Sequence, residues 1–509
     1  ASATRPAAHR EESRNPRWWY LAIVIGLATL SSSLWLTRNS SQTGGEAPAR
    51  TSGGGPEPHL PSIAVLPFVD MSPQRDQEHF SDGLTEELLT TLAKNRNLRV
   101  VGRTSSFAFK GQSPEISEVG AKLNVETVLE GSVRQVGNRA RITTQLIKVD
   151  DGFQLWSETF DRELNDIFAV QEEIAKAVAA ALKVRLAPGN SAPEAIQTVL
   201  PEAYTAYLQG RHFSEKTGES FLETAVRYFE QALSLAPDYA PAWVGLADVR
   251  SEQAGLGYLP VEEAYRKSRQ AAERALELDP TLASAHISLG EIKLRFDWDW
   301  EGADLEFQRA LALEPGNAEV LLGASRLART RGRLIEALVL ARKSSDLDPL
   351  NVRGHHTHGL HAWYANQLDE AVIAFERALE LDPDKPRTRS FLGRVYIAQS
   401  RPVEAREAME RETHPAFQLI GQVLLETALD NQQEGDAALA KLLEQWGDQA
   451  AFQIAEVYGF RGERDNAFEW LEKAYAQRDS GLTWIHGDPL LRSLTADPRW
   501  DEFLEKMRL

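Results

Sequence analysis

The stretch DEAVIAFERALELDP, residues 369–383, ends in a proline, and similar segments recur upstream. The terminal prolines are spaced by 43, 35, 34 and 34 residues; they are Pro237, Pro280, Pro315, Pro349 and Pro383. An Ala or Ser lies 12 residues and again 5 residues before each proline, and a leucine lies 2 before. Small residues at helical spacing let two helices approach closely, and a proline ends the second one. The period therefore predicts stacked helix pairs.

This pattern resembles the tetratricopeptide repeat, which is also visible in FLGRVYIAQSRPVEA, residues 391–405. The resemblance implies an all-α superhelix over residues 200–509, with six to eight units and a closing cap from Pro489 to Leu509. Extra residues around Gly255 and the DWDWE motif at 297–301 depart from the pattern. Stacked helix pairs of this kind present an extended concave surface, so we expect the domain to bind peptide or protein partners.

If residues of this chain take the same places as in other tetratricopeptide repeats, the unit 352–383 directs four candidate binding residues into the concave groove. They are Arg353, His356, Trp363 and Tyr364. Aromatic residues and arginine are common binding anchors. The alternative is that Trp363 and Tyr364 pack between neighbouring repeats, and the sequence does not decide between the two.

Four histidines in the same unit invite a metal interpretation; they are His355, His356, His358 and His361. His355 and His358 take repeat positions that face the partner helix, and no carboxylate lies at ligand spacing on the same turn. We therefore predict no metal site, and no cofactor. The chain also lacks the G-x-S-x-G, H-E-x-x-H and G-x-x-x-x-G-K motifs, so we do not expect an enzyme.

Upstream, residues 61–186 read as a compact α/β domain. Apolar strand patterns at 62–68, 98–101, 125–136, 140–149 and 153–160 alternate with helical patterns near 84–92, 116–123 and 167–184. The resulting order is β-α-β-α-β-β-β-α with a mixed sheet. An acidic cluster at Asp82, Glu86 and Glu87 is interpreted as favourable charge at a helix start. Lys110-Gly111 lacks the rest of a phosphate-binding loop.

Several motifs of this region, in order, resemble the TolB-like amino-terminal domain. They are SIAVLPF, FSDGLTEELLTTL, RTSSFAFKG, LEGSVRQVGNRARITTQLI, LWSETFDREL and DIFAVQEEIA. The resemblance implies a domain without catalytic machinery, one that commonly lies just outside the membrane in one-pass bacterial signalling proteins.

Near the start, Trp18 to Leu36 is a stretch of 19 residues without a charge, with tryptophans at or near both of its ends. Such a length spans roughly a bilayer core, and arginines before it favour a cytoplasmic start. The sequence therefore predicts a basic cytoplasmic segment at 1–17, a transmembrane helix at 18–36 and a flexible linker at 37–60. A cleaved signal peptide is the alternative, although no small-residue cleavage motif follows directly.

Composition limits the remaining possibilities. The chain has 509 residues, no cysteine and a net charge of −18, of which residues 1–60 contribute +2. The acidic body disfavours nucleic-acid binding, and the absence of Cys excludes disulfides and thiol nucleophiles.

We therefore predict a multidomain fold: one transmembrane helix, a TolB-like α/β domain and a tetratricopeptide-repeat superhelix. The expected function is that of a non-enzymatic, single-pass inner-membrane sensor or scaffold, with its bulk outside the cytoplasm. The alternative is the sensory part of a larger signalling protein. Its output domain, a winged-helix DNA-binding domain, a nucleotide cyclase or a kinase, would precede Ala1, where no Met stands. An enzyme with a site in this body is the third and least supported possibility.

Overall fold

The computed structural model of the protein describes residues 60–137, 139–163, 167–184, 199–214, 216, 218–255 and 258–509. The predicted transmembrane stretch Trp18–Leu36, the basic segment before it and nearly all of the linker lie outside these ranges.

The fold class and the location predicted from the sequence need a correction. Within the described ranges, no helix is both long enough and apolar enough to cross a membrane. The longest helix there, Val261–Leu278 with 18 residues, carries charges along its length. The fold that the structure supports is a mostly helical repeat superhelix joined to a small sheet region. The transmembrane helix and the single-pass inner-membrane location are therefore dropped.

The sheet region follows the predicted order of strands and helices, with two short additions. Its elements are β1 Ser62–Val65, β2 Val69–Asp70, α1 Glu78–Ala93, β3 Arg99–Val100, α2 Arg103–Phe107, α3 Ile116–Leu123, β4 Thr127–Val136, β5 Arg139–Lys148, β6 Gln154–Glu163 and α4 Ile167–Ala181. The strand order is β3-β1-β4-β5-β6, and β2 pairs beside β1 on β4. The first three strands run parallel to their neighbours and the last two are antiparallel, so the sheet is mixed, as predicted.

Strand β1 lies between β3 and β4 and is buried on both faces. Ile63 and Val65 pack with α1 and α4, whereas Ala64 and Leu66 pack with α3 on the opposite face. A strand covered on both sides reads as a continuous apolar run, and this explains the sequence SIAVLPF.

Helix pairs fill the rest of the described chain. Their bounds are α5 Pro201–Ser214, α6 Glu219–Leu235, α7 Ala240–Gly255, α8 Val261–Leu278, α9 Ala283–Ile292, α10 Trp300–Leu313, α11 Ala318–Thr330, α12 Leu334–Leu347, α13 Val352–Tyr364, α14 Leu368–Leu381, α15 Thr388–Ala398, α16 Pro402–Glu410, α17 Pro415–Ala428, α18 Gln432–Trp446, α19 Ala451–Phe460 and α20 Arg464–Ala476. Each odd-numbered helix from α5 packs against the next helix along the chain and against the first helix of the following pair. The first helices therefore form one continuous layer, which we call the inner layer.

A large side chain on the second helix fills several of the joints between repeats. Phe307 on α10 is buried against Gly290 on α9 and Gly323 on α11, and a Cβ at Gly323 would lie 2.4 Å from its ring. Phe229 and Met409 meet glycines of two successive first helices in the same way. Glycine on the first helix thus makes room for the aromatic or thioether side chain of the second.

The sheet region and the repeats belong to one compact unit, residues 60–509. One hydrophobic cluster runs from the sheet through α1 and α4 into α5, α6 and α7. Farther along, Gly102 N–H donates to the carbonyl oxygen of Leu347 at 2.6 Å. Asp348, just after α12, accepts hydrogen bonds from the backbone N–H and the hydroxyl of Ser105 at the start of α2.

The chain closes on itself at its C-terminal end. Two 3-10 turns, Ser480–Trp484 and Pro489–Leu494, precede α21, Pro498–Met507. Trp300, in the DWDWE motif, donates its indole N–H to the carbonyl oxygen of Met507 at 2.8 Å. Trp298 contacts Tyr475 of α20 at a ring distance of 5.6 Å. The motif that departs from the repeat pattern therefore receives the C-terminal helices.

Candidate functional site

The residues between α20 and α21 lie against the inner layer of the superhelix. We call residues 479–494 the cap segment. The indole of Trp484 stacks on Phe391 of α15 at 5.9 Å, and the guanidinium of Arg329 on α11 lies 4.2 Å from the centroid of an indole ring of Trp484. The carbonyl oxygen of Thr483 accepts from Arg329 Nη2 at 3.2 Å and from Thr330 Oγ1 at 2.9 Å. The C-terminal half of the inner layer is therefore already covered by a segment of the same chain.

A buried cluster of charged and polar groups lies beneath this segment and binds it through Asp488. Tyr364 donates its hydroxyl to Asp488 Oδ2 at 2.9 Å, and Arg394 Nη1 donates to Glu456 Oε2 at 3.1 Å. Glu456 is also within hydrogen-bond contact of Asp488. The negative charge of Asp488 therefore disfavours ionisation of Glu456.

Burial shifts the pKa values of this cluster in the direction that disfavours charge. It raises the pKa of Glu456 well above its usual range; the Arg394 guanidinium opposes this rise and the Asp488 carboxylate adds to it. Burial likewise lowers the pKa of Arg329 to about 10 and raises the pKa of Tyr364 well above its usual value.

The four predicted groove residues occupy different environments. Arg353 is exposed on α13 and pairs with Glu319 of α11. His356 donates to or accepts from Thr388 Oγ1 at 2.9 Å, and burial lowers its pKa to about 3. Trp363 and Tyr364 are buried, Tyr364 beneath the cap segment and Trp363 in the wall of a cavity beside it. The structure therefore brings Trp363 and Tyr364 together and leaves Arg353 apart; a binding role for these four stays a prediction.

The other residues that sequence analysis singled out are engaged in local contacts. His358 contacts Glu370 at 2.7 Å, and His361 contacts Ser325 Oγ at 3.2 Å. In the described ranges, no three potential metal ligands of the His, Asp and Glu kind come together. Asp82 pairs with Lys110 at 2.5 Å, and Glu86 pairs with Arg103 at 2.7 Å and with Arg211.

Sequence reasoning missed the charged residues of the buried cluster. The available signal was a lone charge inside an apolar helical run, as for Arg394 in FLGRVYI and Glu456 in FQIAEVYGF. Such a charge has to find a partner on another element, and the sequence does not identify that partner.

Exposed aliphatic side chains form a second feature, on the opposite layer of helices. We call them the aliphatic stripe; they are Leu305, Ile335, Val339, Ile373 and Val403, on α10, α12, α14 and α16. Ile373 is 68% and Val403 75% exposed. Leu305, Val339 and Ile373 lie at the same repeat position, ten residues before the terminal proline, and Ile335 lies four residues before Val339. Equivalent positions on stacked helices share one face of the superhelix.

Ion pairs link the successive second helices that carry the stripe. Arg333, at the start of α12, donates to Asp304 of α10 at 3.0 Å, and Arg342 of α12 donates to both carboxylate oxygens of Glu370 of α14 at 2.8 and 2.7 Å. Around Ile373 and Val403, the exposed side chains include the carboxylates of Asp369, Glu376, Glu407 and Glu410. The exposed arginines there, Arg401 and Arg406, each pair with a glutamate, so carboxylates are in excess. This end of the stripe is apolar with acidic borders.

Comparison with known proteins supports the repeats and adds a relationship for the sheet region. Residues 356–416 match the tetratricopeptide-repeat family model, and residues 59–177 match that of the second domain of HilA/YgeH-like transcriptional regulators. The tetratricopeptide-repeat prediction is therefore confirmed. A TolB-like identity for the sheet region is not shown.

Two bacterial relatives each match 62% of this chain. The chain is 34% identical over 319 residues to putative adenylate cyclase 3 of Rhizobium meliloti (strain 1021), covering 62% of this chain and 43% of that protein. It is 22% identical over 331 residues to transcriptional regulator HilA of Salmonella typhimurium, covering 62% of this chain and 56% of that protein. The chain thus spans about half the length of these relatives. Among solved structures, pilF of Pseudomonas aeruginosa matches 41% of this chain and 95% of its own, at 22% identity and a TM-score of 0.34.

Proposed function

We propose that this chain is a non-enzymatic protein-interaction module that forms the regulatory part of a signalling protein. Tetratricopeptide-repeat proteins bind peptide or protein partners through stacked helices. The relatives are named as a cyclase and as transcriptional regulators, and each is longer than the part matched here. The sheet region, with its resemblance to TolB-like domains, would provide the body to which the repeats are fixed.

The observation that carries the proposal is the aliphatic stripe. Isolated apolar residues are common on protein surfaces, but a row that repeats on four successive second helices is a contiguous patch, and such patches mark interaction sites. The C-terminal half of the inner layer is covered by the cap segment, so a partner would meet the outer stripe without displacing any described part of the chain. Acidic borders favour a partner helix with an aliphatic face and basic flanks.

Synthetic peptides test this proposal directly. The probe is an amphipathic helical peptide with a leucine face and lysine flanks, and the comparison peptide keeps the leucine face but carries glutamate flanks. We expect the lysine peptide to bind the full chain. The double variant Ile373→Glu/Val403→Glu should weaken that binding by at least about tenfold, because charges would replace the apolar contacts.

Val261→Glu is the matched control, because Val261 is an exposed aliphatic residue on α8, outside the stripe. It should bind the lysine peptide as the unchanged chain does. Equal binding of both peptides, or unchanged binding by the double variant, would contradict the proposed surface.

A further inference from the structure

A cavity of about 140 Å³ lies between the inner layer and the cap segment. Helices α13, α15, α17 and α19 and the cap segment all contribute to it. Its lining residues are Trp363, Asn366, Arg394, Ile397, Ala398, Leu424, Phe460, Pro489, Leu490 and Arg492. Asn366, Ala398 and Arg492 are exposed and mark its mouth, whereas Leu424, Leu490 and Arg394 are buried. The walls are mainly apolar, and the charged groups in them are arginines.

Arg394 is the polar group buried in this cavity wall. Its side chain is 1% exposed, and its Nη1 is engaged by Glu456. Its Nε and Nη2 have no hydrogen-bond partner among the described residues. Buried donors are rarely left unpaired, and an unpaired one invites an explanation by a ligand, an ion or water.

The unpaired nitrogens are the pair that an arginine uses to hold a carboxylate with two parallel hydrogen bonds. Arg342 shows this geometry elsewhere in the same chain, with Nε and Nη2 bound to the two oxygens of Glu370 at 2.8 and 2.7 Å. Arg394 therefore has an unpaired Nε/Nη2 edge, and its side chain forms part of the cavity wall.

The charges around the cavity favour an anion. Arg394 is the buried charged group in its wall, and no carboxylate is among the described lining residues. Arg492 adds a second positive charge at the mouth.

We propose that this cavity binds a small monocarboxylate, with its carboxylate on the Nε/Nη2 edge of Arg394 and its apolar body against Trp363 and Leu424. A cavity of this size holds a body about as large as benzene. Because the ligand would contact both the inner layer and the cap segment, its binding would stabilise the closed arrangement of the two. This site is separate from the aliphatic stripe, and either proposal can fail alone.

The test uses the full chain, with phenylacetate and hexanoate as probes and the corresponding amides, phenylacetamide and hexanamide, as uncharged matches. Titration calorimetry should give saturable binding for at least one acid at millimolar concentration. The matching amide should bind at least about tenfold more weakly, since it lacks the charge that the guanidinium selects. The acid should also raise the unfolding temperature.

Two variants locate the site. Arg394→Gln removes the anion-binding edge, and Ala398→Trp fills the mouth from an exposed position without altering the core. Each should weaken acid binding by about tenfold or more. Arg274→Gln, which replaces a partly exposed arginine on α8, should leave acid binding unchanged. Ala398→Trp decides the result if Arg394→Gln does not fold. Absence of binding for both acids, equal binding of acids and amides, or full binding by folded Ala398→Trp would overturn the proposal.

Discussion

Asp348 caps helix α2 through Ser105, a residue 243 positions earlier in the chain. Its Oδ1 accepts from the Ser105 backbone N–H at 2.7 Å and from the Ser105 hydroxyl at 2.5 Å. The serine hydroxyl is in turn 2.8 Å from the N–H of Leu350. Asp348 is only 3% exposed. A single carboxylate at the turn between α12 and α13 therefore supplies the N-terminal cap that the sheet-region helix lacks in its own sequence.

Asp348→Ala should destabilise the protein by about 1–3 kcal/mol, because it leaves two buried donors of Ser105 without their acceptor. Urea unfolding of the full chain measures the change. Asp346→Ala is the control: this side chain is exposed two residues earlier and should change the free energy of unfolding by less than about 0.5 kcal/mol. Equal stability of Asp348→Ala and Asp346→Ala would show that the cap contributes nothing.

Two glycines of helix α13 should respond oppositely to the same substitution. A Cβ at Gly359 would lie 2.7 Å from the ring of buried Phe375, whereas a Cβ at Gly354 would lie no closer than 3.5 Å to any neighbour. Gly359→Ala should cost about 1–3 kcal/mol of unfolding free energy through overpacking. Gly354→Ala should be neutral or stabilising by up to about 1 kcal/mol, since alanine favours the helix. Thermal unfolding of both variants checks the pair, and a stable Gly359→Ala would refute the packing account.

The stability of the protein should fall on acidification partly because of His361. This side chain is 1% exposed, and its Nδ1 has no partner among the described residues. Burial lowers the pKa of His361 well below its usual value, and Arg329, Arg326, His358 and His356 lower it further. Above about pH 6.5 both folded and unfolded chains hold a neutral imidazole; below it the unfolded chain binds a proton that the folded chain excludes.

Stability should therefore be lost as the pH falls below about 6.5, and His361→Phe should lose less than the unchanged protein. From about pH 8 to about pH 5, the difference in unfolding free energy between His361→Phe and the unchanged protein should change by up to about 2 kcal/mol. The packing cost of the substitution is the same at both pH values, so chemical denaturation at the two values separates it from the titration of His361. Parallel pH profiles would mean that His361 does not titrate as described.

Trp484→Ala should weaken the attachment of the cap segment to the inner layer. The indole contacts Phe391, Arg329 and Tyr364, so its loss should cost about 2–4 kcal/mol. Limited proteolysis should then cut within residues 479–494 earlier than in the unchanged protein. Trp470→Ala, which removes a half-buried tryptophan from α20, is the control and should leave cleavage in that segment unchanged. Resistance of Trp484→Ala to cleavage in the cap segment would indicate that other contacts suffice.

The sequence predicted the elements whose signals are local and periodic. The 34-residue spacing of prolines placed the helix pairs, and the alternating strands gave the order and the mixed character of the sheet. It did not predict helix α2, because five residues capped by Asp348 from far along the chain carry no local helix signal. A closing cap was predicted from Pro489 to Leu509, but the contact of the cap segment with the inner layer was not. Trp484 and Asp488 are held by Phe391, Arg329 and Tyr364, more than 90 residues earlier.

The candidate site shows the same division. The sequence predicted Trp363 and Tyr364 as groove residues, with packing between repeats as the alternative, but only the three-dimensional arrangement places Tyr364 on Asp488 and Trp363 in the cavity wall. The DWDWE motif was recognised as a departure from the repeat, and its contact with Met507 explains that departure. The aliphatic stripe could have been found from the period alone, since Leu305, Val339 and Ile373 share one repeat position.

The most direct test of the central claim, that the outer stripe binds a protein partner, is site-specific photo-crosslinking in the native cell. A photoreactive residue is placed at Ile373 in one variant and at Arg353, on the inner layer, in another. We predict that a partner segment with an aliphatic face and basic flanks crosslinks to position 373 and not to position 353. A partner that crosslinks to position 353 and not to position 373 would contradict the claim and place binding in the inner groove.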